Sequence, residues 1–188
     1  MKKYLTLVVL LMLFCTSFAF AKNKQEGEFM NGKKILIAYF SWSGNTKSIA
    51  EKIHNTTGGD MFQIETVTPY PNDYHETAYV VAKKEHEENI KPKLKDNGDV
   101  SKYDVIFVGT PAWWYGMAPA VKTFLSENNF DGKIIVPFVT HGGGGGYTID
   151  KDMQEMAKGS KVLKPFVVSG RGGANVQEDI NTWLKGLE

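Results

Sequence analysis

The chain has 188 residues, with 22 Lys and Arg against 21 Asp and Glu, for a formal net charge of +1. That balance gives no reason to expect nucleic acid or a membrane surface as partner. The length fits one domain with its own core, and a single cysteine, Cys15, rules out an internal disulfide or a cysteine-built metal site.

The N-terminus reads as a targeting segment. Met1-Lys2-Lys3 is basic, Leu5 to Phe14 is apolar, and Ala19-Phe20-Ala21 fits a small-x-small cleavage site. Residues 1–21 are expected to be a signal peptide, and the mature protein periplasmic or extracellular. The other reading is an uncleaved anchor, for which Tyr4 to Phe20 is at the short end of a membrane span. Phe14 is too bulky to precede a lipidated Cys15, and no twin-Arg pair is present, so export would use the general route with the chain unfolded. Cleavage after Ala21 removes Lys2, Lys3 and Cys15 but no acid, which takes the formal charge to −1 and leaves no thiol. A polar lead, residues 22–32, precedes a domain at 33–188, and no membrane contact is expected of the mature form.

Five apolar runs follow as expected strands: 33–40, 61–67, 103–109, 133–139 and 162–168. Helical stripes lie between them. Ile49, Ala50 and Ile53 form the first. Tyr74, Thr77, Ala78, Val81 and Ala82 form the second, and Met117, Val121, Phe124 and Leu125 the third. Ile149, Met153, Met156 and Ala157 follow, then Val176, Ile180, Trp183, Leu184 and Leu187. Strict alternation, with strands apolar on both faces, predicts an α/β fold: a doubly wound five-stranded parallel sheet of order 2-1-3-4-5. Ligands in such sheets sit at the carboxyl ends of the strands, between strands 1 and 3.

The loop after strand 1 is Ser41-Trp42-Ser43-Gly44-Asn45-Thr46, and a helix starts after it. Free amides of a first helical turn, the helix dipole and three hydroxyls make an anion site. The same residues would serve an ordinary βα turn that caps its helix. The sequence carries neither Gly-x-x-x-x-Gly-Lys-Ser/Thr nor Gly-x-Gly-x-x-Gly, so a triphosphate or a dinucleotide pyrophosphate is poorly provided for. Amides and hydroxyls with no obligate cation nearby suit one phosphate monoester.

Ser-x-Ser-Gly-Asn-Thr after a first strand resembles the phosphate loop of the flavodoxin family, short-chain form, and the resemblance runs from residue 33 to 187. It implies that Ser41, Trp42, Ser43, Gly44, Asn45 and Thr46 wrap the ribityl phosphate of flavin mononucleotide (FMN). It further implies that Thr110, Pro111, Ala112 and Trp113, with Trp114 or Tyr115 also open, lie against the flavin ring. These come from the loop Gly109 to Pro119, whose three consecutive aromatics suit stacking on a flat ring. They would equally suit a loop folded over the next helix.

The loop after strand 4 runs Thr140-His141-Gly142-Gly143-Gly144-Gly145-Gly146-Tyr147. Gly allows close backbone approach. Thr140, His141, Gly142 and Gly143 are expected to line the ring's pyrimidine side, unless the glycines form a mobile surface loop. Tyr147 is either a second stacking aromatic or the start of the next helix. Arg171, in the loop after strand 5, reads as solvated or as a charge near the ring. No Gly-x-Ser-x-Gly elbow occurs, and the Glu85-His86-Glu87-Glu88 run reads as a solvated helix face.

The expected function is electron transfer through noncovalent FMN, with a redox partner protein or a small-molecule electron acceptor as partner and no catalytic side chain. A flavin-dependent quinone-type oxidoreductase using NAD(P)H and a non-catalytic flavin-binding scaffold stay open. The near-neutral charge departs from the strongly acidic carriers of the family.

Overall fold

Lys34 to Phe40 supplies the strand around which the fold is wound. The structure, a computed structural model, describes residues 30–187. The expected signal peptide and most of the polar lead therefore lie outside the described residues. Met30, at the end of that lead, is buried against Ile37 and its neighbours.

The elements in chain order are β1 Ile35–Tyr39, α1 Asn45–Thr57, β2 Asp60–Gln63, a π-helical turn Glu76–Val81 and α2 Ala82–Glu87. There follow β3 Val105–Trp113, β4 Gly116–Met117, α3 Pro119–Glu127 and β5 Ile134–His141. The chain ends with α4 Ile149–Met156, β6 Lys161–Val162, β7 Phe166–Ser169 and α5 Val176–Lys185. The sheet runs β2-β1-β3-β5-β6, with β7 also on β5 and every one of these pairings parallel. Since β6 and β7 are two parts of the expected fifth strand, this is the doubly wound order 2-1-3-4-5.

Alternation along the strands builds two cores. Leu36, Ala38 and Phe40 pack with Ile106, Val108 and Val139 under α3 and α4. Ile37 and Tyr39 pack with Phe107, Val136 and Phe138 under α1 and α5. Helix α1 contributes Ile49 and Ile53, both fully buried, each worth about 1.5–3 kcal/mol of apolar burial. It ends at Gly58, a left-handed cap whose amide donates to the His54 carbonyl.

Several boundaries differ from the sequence expectation, each for a local reason. Strand β2 stops at Gln63, although Ile64 still donates to the Tyr39 carbonyl at 2.8 Å. The chain then leaves to make an isolated antiparallel bridge, Thr66 to Leu94. In the second helix the Ala82 amide donates to Thr77, five residues back. That extra residue rotates the stripe, so Thr77 and Ala82 are buried while Tyr74 is 62% exposed. Met117 lies on β4 rather than on a helix. The fifth strand is split around Leu163-Lys164-Pro165. Between paired positions β5 advances from Ile135 to Phe138 while its partner advances from Val162 to Phe166, one residue more. Pro165 has no amide to give the ladder, and a bulge on an outer strand accommodates it.

Gly109 sits where β3 faces β5, and a Cβ there would overlap the Phe138 ring. Gly109→Ala should therefore destabilise the protein by about 1–3 kcal/mol through overpacking. Urea unfolding should show a lower midpoint at unchanged slope.

Candidate functional site

A cleft of about 580 Å³ opens at the carboxyl ends of β1, β3 and β5. That is within the usual range for a small-molecule site. Its walls are the loops after β1, β3, β5 and β7, plus the π-helical turn.

The loop after β1 turns on Gly44, at φ +83°, which as the N-cap residue has no side chain to offer, and the first turn of α1 holds no acid. The Lys47 amide donates to Ser41 Oγ at 3.1 Å, and Ser48 donates to the Gly44 carbonyl at 3.0 Å. Residues 45 and 46 precede the first intrahelical bond, so the helix does not use their amides. Ser43 is exposed, and with Trp42 and Asn45 it lines the cleft. Ser41, Gly44 and Thr46 do not line it. Thr46 is buried, its Oγ1 2.9 Å from Thr140 Oγ1, so that hydroxyl is already paired. Arg171 arrives from the loop after β7. Its Nε donates to Asn45 Oδ1 at 3.1 Å and its Nη2 to the Ser43 carbonyl at 3.5 Å.

The segment after Gly109 is not a loop. Strand β3 continues through Trp113 and folds back on β4, pairing Ala112 with Met117 and Trp113 with Gly116. Thr110 is inside this structure: buried, its hydroxyl donates to the Pro111 carbonyl and accepts from the Ala118 amide, both at 2.9 Å. Pro111, Ala112, Trp113 and Trp114 line the cleft. Only Trp114 and Tyr115 form the turn, at φ 47° and 67°. Two consecutive positive φ values mark the tight hairpin turn that usually takes Asn-Gly. Bulky residues there are strained by roughly 1–3 kcal/mol each. Surrounding contacts hold them. Trp114 Nε1 donates to the Ala78 carbonyl at 2.6 Å, Tyr79 meets its ring edge-on at 5.8 Å, and Lys83 Nζ lies 5.7 Å from the ring centre.

Behind this wall Trp113 packs edge-on against Phe40 at 5.4 Å and Tyr70 at 5.1 Å. The Tyr70 hydroxyl donates to Glu85 Oε2 at 2.6 Å. Burial holds the Glu85 carboxyl above the usual carboxylate range, against the opposing pull of the Tyr70 donor. Burial, and then Glu85 itself, push the Tyr70 hydroxyl well up.

Sequence reasoning missed Tyr74 and Tyr79 as cleft residues. Tyr74 had been placed on a core stripe. The Trp42 indole donates to the Pro71 carbonyl at 2.8 Å and its ring lies 6.1 Å from Tyr74. Two neighbouring tyrosines in a short helical run were the available signal, but the π register that turns them outward is not legible in composition.

On the third wall Thr140 is buried on β5, and His141, Gly142 and Tyr147 line the cleft with it. Gly143 does not. Its amide donates to His141 Nδ1 at 3.0 Å, which puts the proton of the neutral ring on Nε2. Within the glycine run, Cβ atoms at Gly144 and Gly146 would overlap the Tyr147 hydroxyl and Val167, while Gly142, Gly143 and Gly145 have open space around them. Tyr147 precedes α4, has φ 50°, and meets Tyr115 edge-on at 5.4 Å.

A sequence profile described as Flavodoxin matches residues 34–187. The chain belongs to the flavodoxin family. Its fold is similar to that of a candidate flavoprotein from Bacteroides eggerthii, at 27% identity and TM-score 0.68, covering 81% of this chain and 96% of that one. A candidate flavoprotein from Bacteroides uniformis is similar at 26% identity and TM-score 0.69, covering 82% and 99%. A Lactobacillus acidophilus flavoprotein solved in complex with FMN is similar at 26% identity and TM-score 0.62, covering 80% and 99%. In this flavodoxin the aromatic wall rests on a strained hairpin, and that strain is measurable. Tyr115→Gly should be more stable than Tyr115→Ala by about 1 kcal/mol, because both lose the ring but only glycine relieves the positive φ. Thermal unfolding of the two variants gives the comparison.

The partly buried Tyr70–Glu85 pair has a pH signature. Folded Glu85 holds its proton more tightly than the unfolded chain does. Its contribution is full below the unfolded carboxylate pKa and is lost as pH rises to and through the raised folded value. Glu85→Gln keeps an acceptor for Tyr70 and should flatten that decline in urea-unfolding stability across the window.

Proposed function

We propose that this flavodoxin binds FMN noncovalently in the cleft and transfers electrons through it. One observation carries the reading: an acid-free helix N-terminus that leaves the amides of residues 45 and 46 unused, beside an exposed serine, shares a single cleft with a wall of tryptophans. The FMN held by the Lactobacillus acidophilus relative supports it.

The donor set fits the group. The amides of Asn45 and Thr46 and the Ser43 hydroxyl would hold the phosphate. Trp42, Trp113 and Trp114 offer flat apolar surface for the ring. Pro111, Ala112, Thr140, His141 and Gly142 would lie along the remaining edges. The Thr46 hydroxyl braces the helix against Thr140, and where Thr140 is the donor of that bond the Thr46 O–H remains to be given to the phosphate. When bound, FMN supplies one- and two-electron redox chemistry. The protein's part is to bind and orient the ring and exclude water. His141, whose Nδ1 accepts from the Gly143 amide, can offer Nε2–H as a hydrogen-bond donor to a group in the cleft.

The rim favours a second reading, reduction of small flat acceptors such as quinones. Tyr79 and Tyr147 are 50% and 45% exposed, and Tyr115 is 70% exposed. These rings suit a planar small molecule better than a charged protein partner does. The mature charge near −1 supplies little steering field. We also propose that the protein acts outside the cytosol. Residues 1–21 motivate this, and N-terminal sequencing of protein recovered from the periplasm and the medium checks it. A chain starting at Lys22 supports it, and intact residues 1–21 on cytosolic protein would refute it.

Titration of flavin fluorescence with the mature protein tests the cofactor. FMN should bind at least roughly tenfold more tightly than riboflavin, because charge-assisted hydrogen bonds are worth about 1.5–3 kcal/mol. Equal affinities would refute the phosphate site. Adding NADPH or NADH to the FMN-loaded protein then separates the readings. Loss of yellow colour, returning when a quinone is added, indicates the reductase. No change without a partner protein indicates the carrier.

A further inference from the structure

We propose that Arg171 is a cationic ligand for the phosphate of the flavin, supplied to the loop after β1 from the far end of the chain. The inference rests on assigning the cleft to FMN and goes beyond it by adding a charge that no residue within the phosphate loop provides.

The placement of the side chain is specific. The turn at Ser169–Gly172 is fixed by two backbone bonds at 2.9 Å, Gly170 to His141 and Gly172 to Ser169. Gly170 and Gly172 both have positive φ, and a Cβ on Gly172 would overlap Val176. Arg171 is thus held between two left-handed residues and reaches across to the N-terminus of α1. There it bonds Asn45 Oδ1 and the Ser43 carbonyl. Gly44 lies between those two contacts, and a Cβ on it would stand 3.4 Å from Arg171 Nη2. At that distance a Cβ would make ordinary contact, so the guanidinium lies directly over the loop.

The charge has no local counterpart. The ion pairs found among the described residues are Lys83–Glu87 and Lys95–Glu65, and the first turn of α1 has no acid. A guanidinium carries five N–H donors, and two of its nitrogens are engaged by the loop. The rest remain for a group placed at the free amides of residues 45 and 46. A cation that touches neutral loop acceptors beside unused amides is arranged for a dianionic phosphate. Both loop contacts are therefore scaffolding that presents the fork.

Three forms of the flavin-free protein test this: wild type, Arg171→Gln and Arg171→Lys. Each is titrated with FMN and with riboflavin at low and at high salt. Arg171→Gln should weaken FMN binding roughly tenfold at low salt, with riboflavin unchanged. The deficit should shrink at high salt. Arg171→Lys should recover part of the affinity, as a point charge without the fork. The phosphorus resonance of bound FMN gives an independent readout. Its phosphate should take up a proton at higher pH in Arg171→Gln than in wild type.

Equal loss for both flavins would overturn the proposal and leave Arg171 as a prop for the loop. Wild type preferring FMN while Arg171→Gln matches it would also overturn it, and the cofactor assignment would stand. Wild type binding neither flavin would overturn both.

Discussion

The parallel register that joins β3 to β1 on one side and β5 on the other determines where every wall of the cleft begins. Tyr39, Gly109 and Phe138 stand level across the three strands. Strand β1 gives one more bond, from Phe40 to the Gly109 carbonyl, and then turns away. Strands β3 and β5 run on in register through Thr110 with Val139 and Pro111 with Thr140. The sheet edge therefore has a step. The N-terminus of α1 occupies the low side, and the hydroxyl pair of Thr46 and Thr140 bolts it to the high side. The open N-terminus of α1 and the aromatic wall come together because three strands end at different heights.

Around that step the molecule concentrates its unfavourable backbone. Trp114, Tyr115 and Tyr147 all have positive φ, and all belong to the cleft. Their neighbours hold them in place: the Ala78 carbonyl, the Tyr79 ring and the contact between Tyr115 and Tyr147. Strain gathered at one place and supported by ordinary packing elsewhere is the common pattern of a binding surface fixed in advance.

Much of this was legible in the sequence. Apolar runs alternating with helical stripes carried the sheet order, because strands buried on both faces need apolar residues throughout. The hydroxyl-rich loop was legible because strand, loop and helix follow one another within a few residues. The remainder depended on longer-range or subtler effects. Pro111 and Gly116 read as loop punctuation, yet Pro111 rides on the continuing ladder beside Thr140, so β3 extends further than composition suggests. One inserted residue turned Tyr74 and Tyr79 toward the cleft. Pro165 inside an apolar run cost the fifth strand its continuity. Arg171 stands 126 residues from Asn45, and only the assembled sheet brings the two together.

The placement of the indoles has a spectroscopic consequence. Of four tryptophans in the chain, Trp42, Trp113 and Trp114 line the cleft. Trp183 lies elsewhere, packed on Phe107 and Phe166, its indole donating to the Lys164 carbonyl. Three of the four indoles that can emit in the ultraviolet therefore stand at the cleft. A planar absorbing molecule that entered the cleft would come close to three emitters, while the fourth would follow the packing around Phe107 and Phe166.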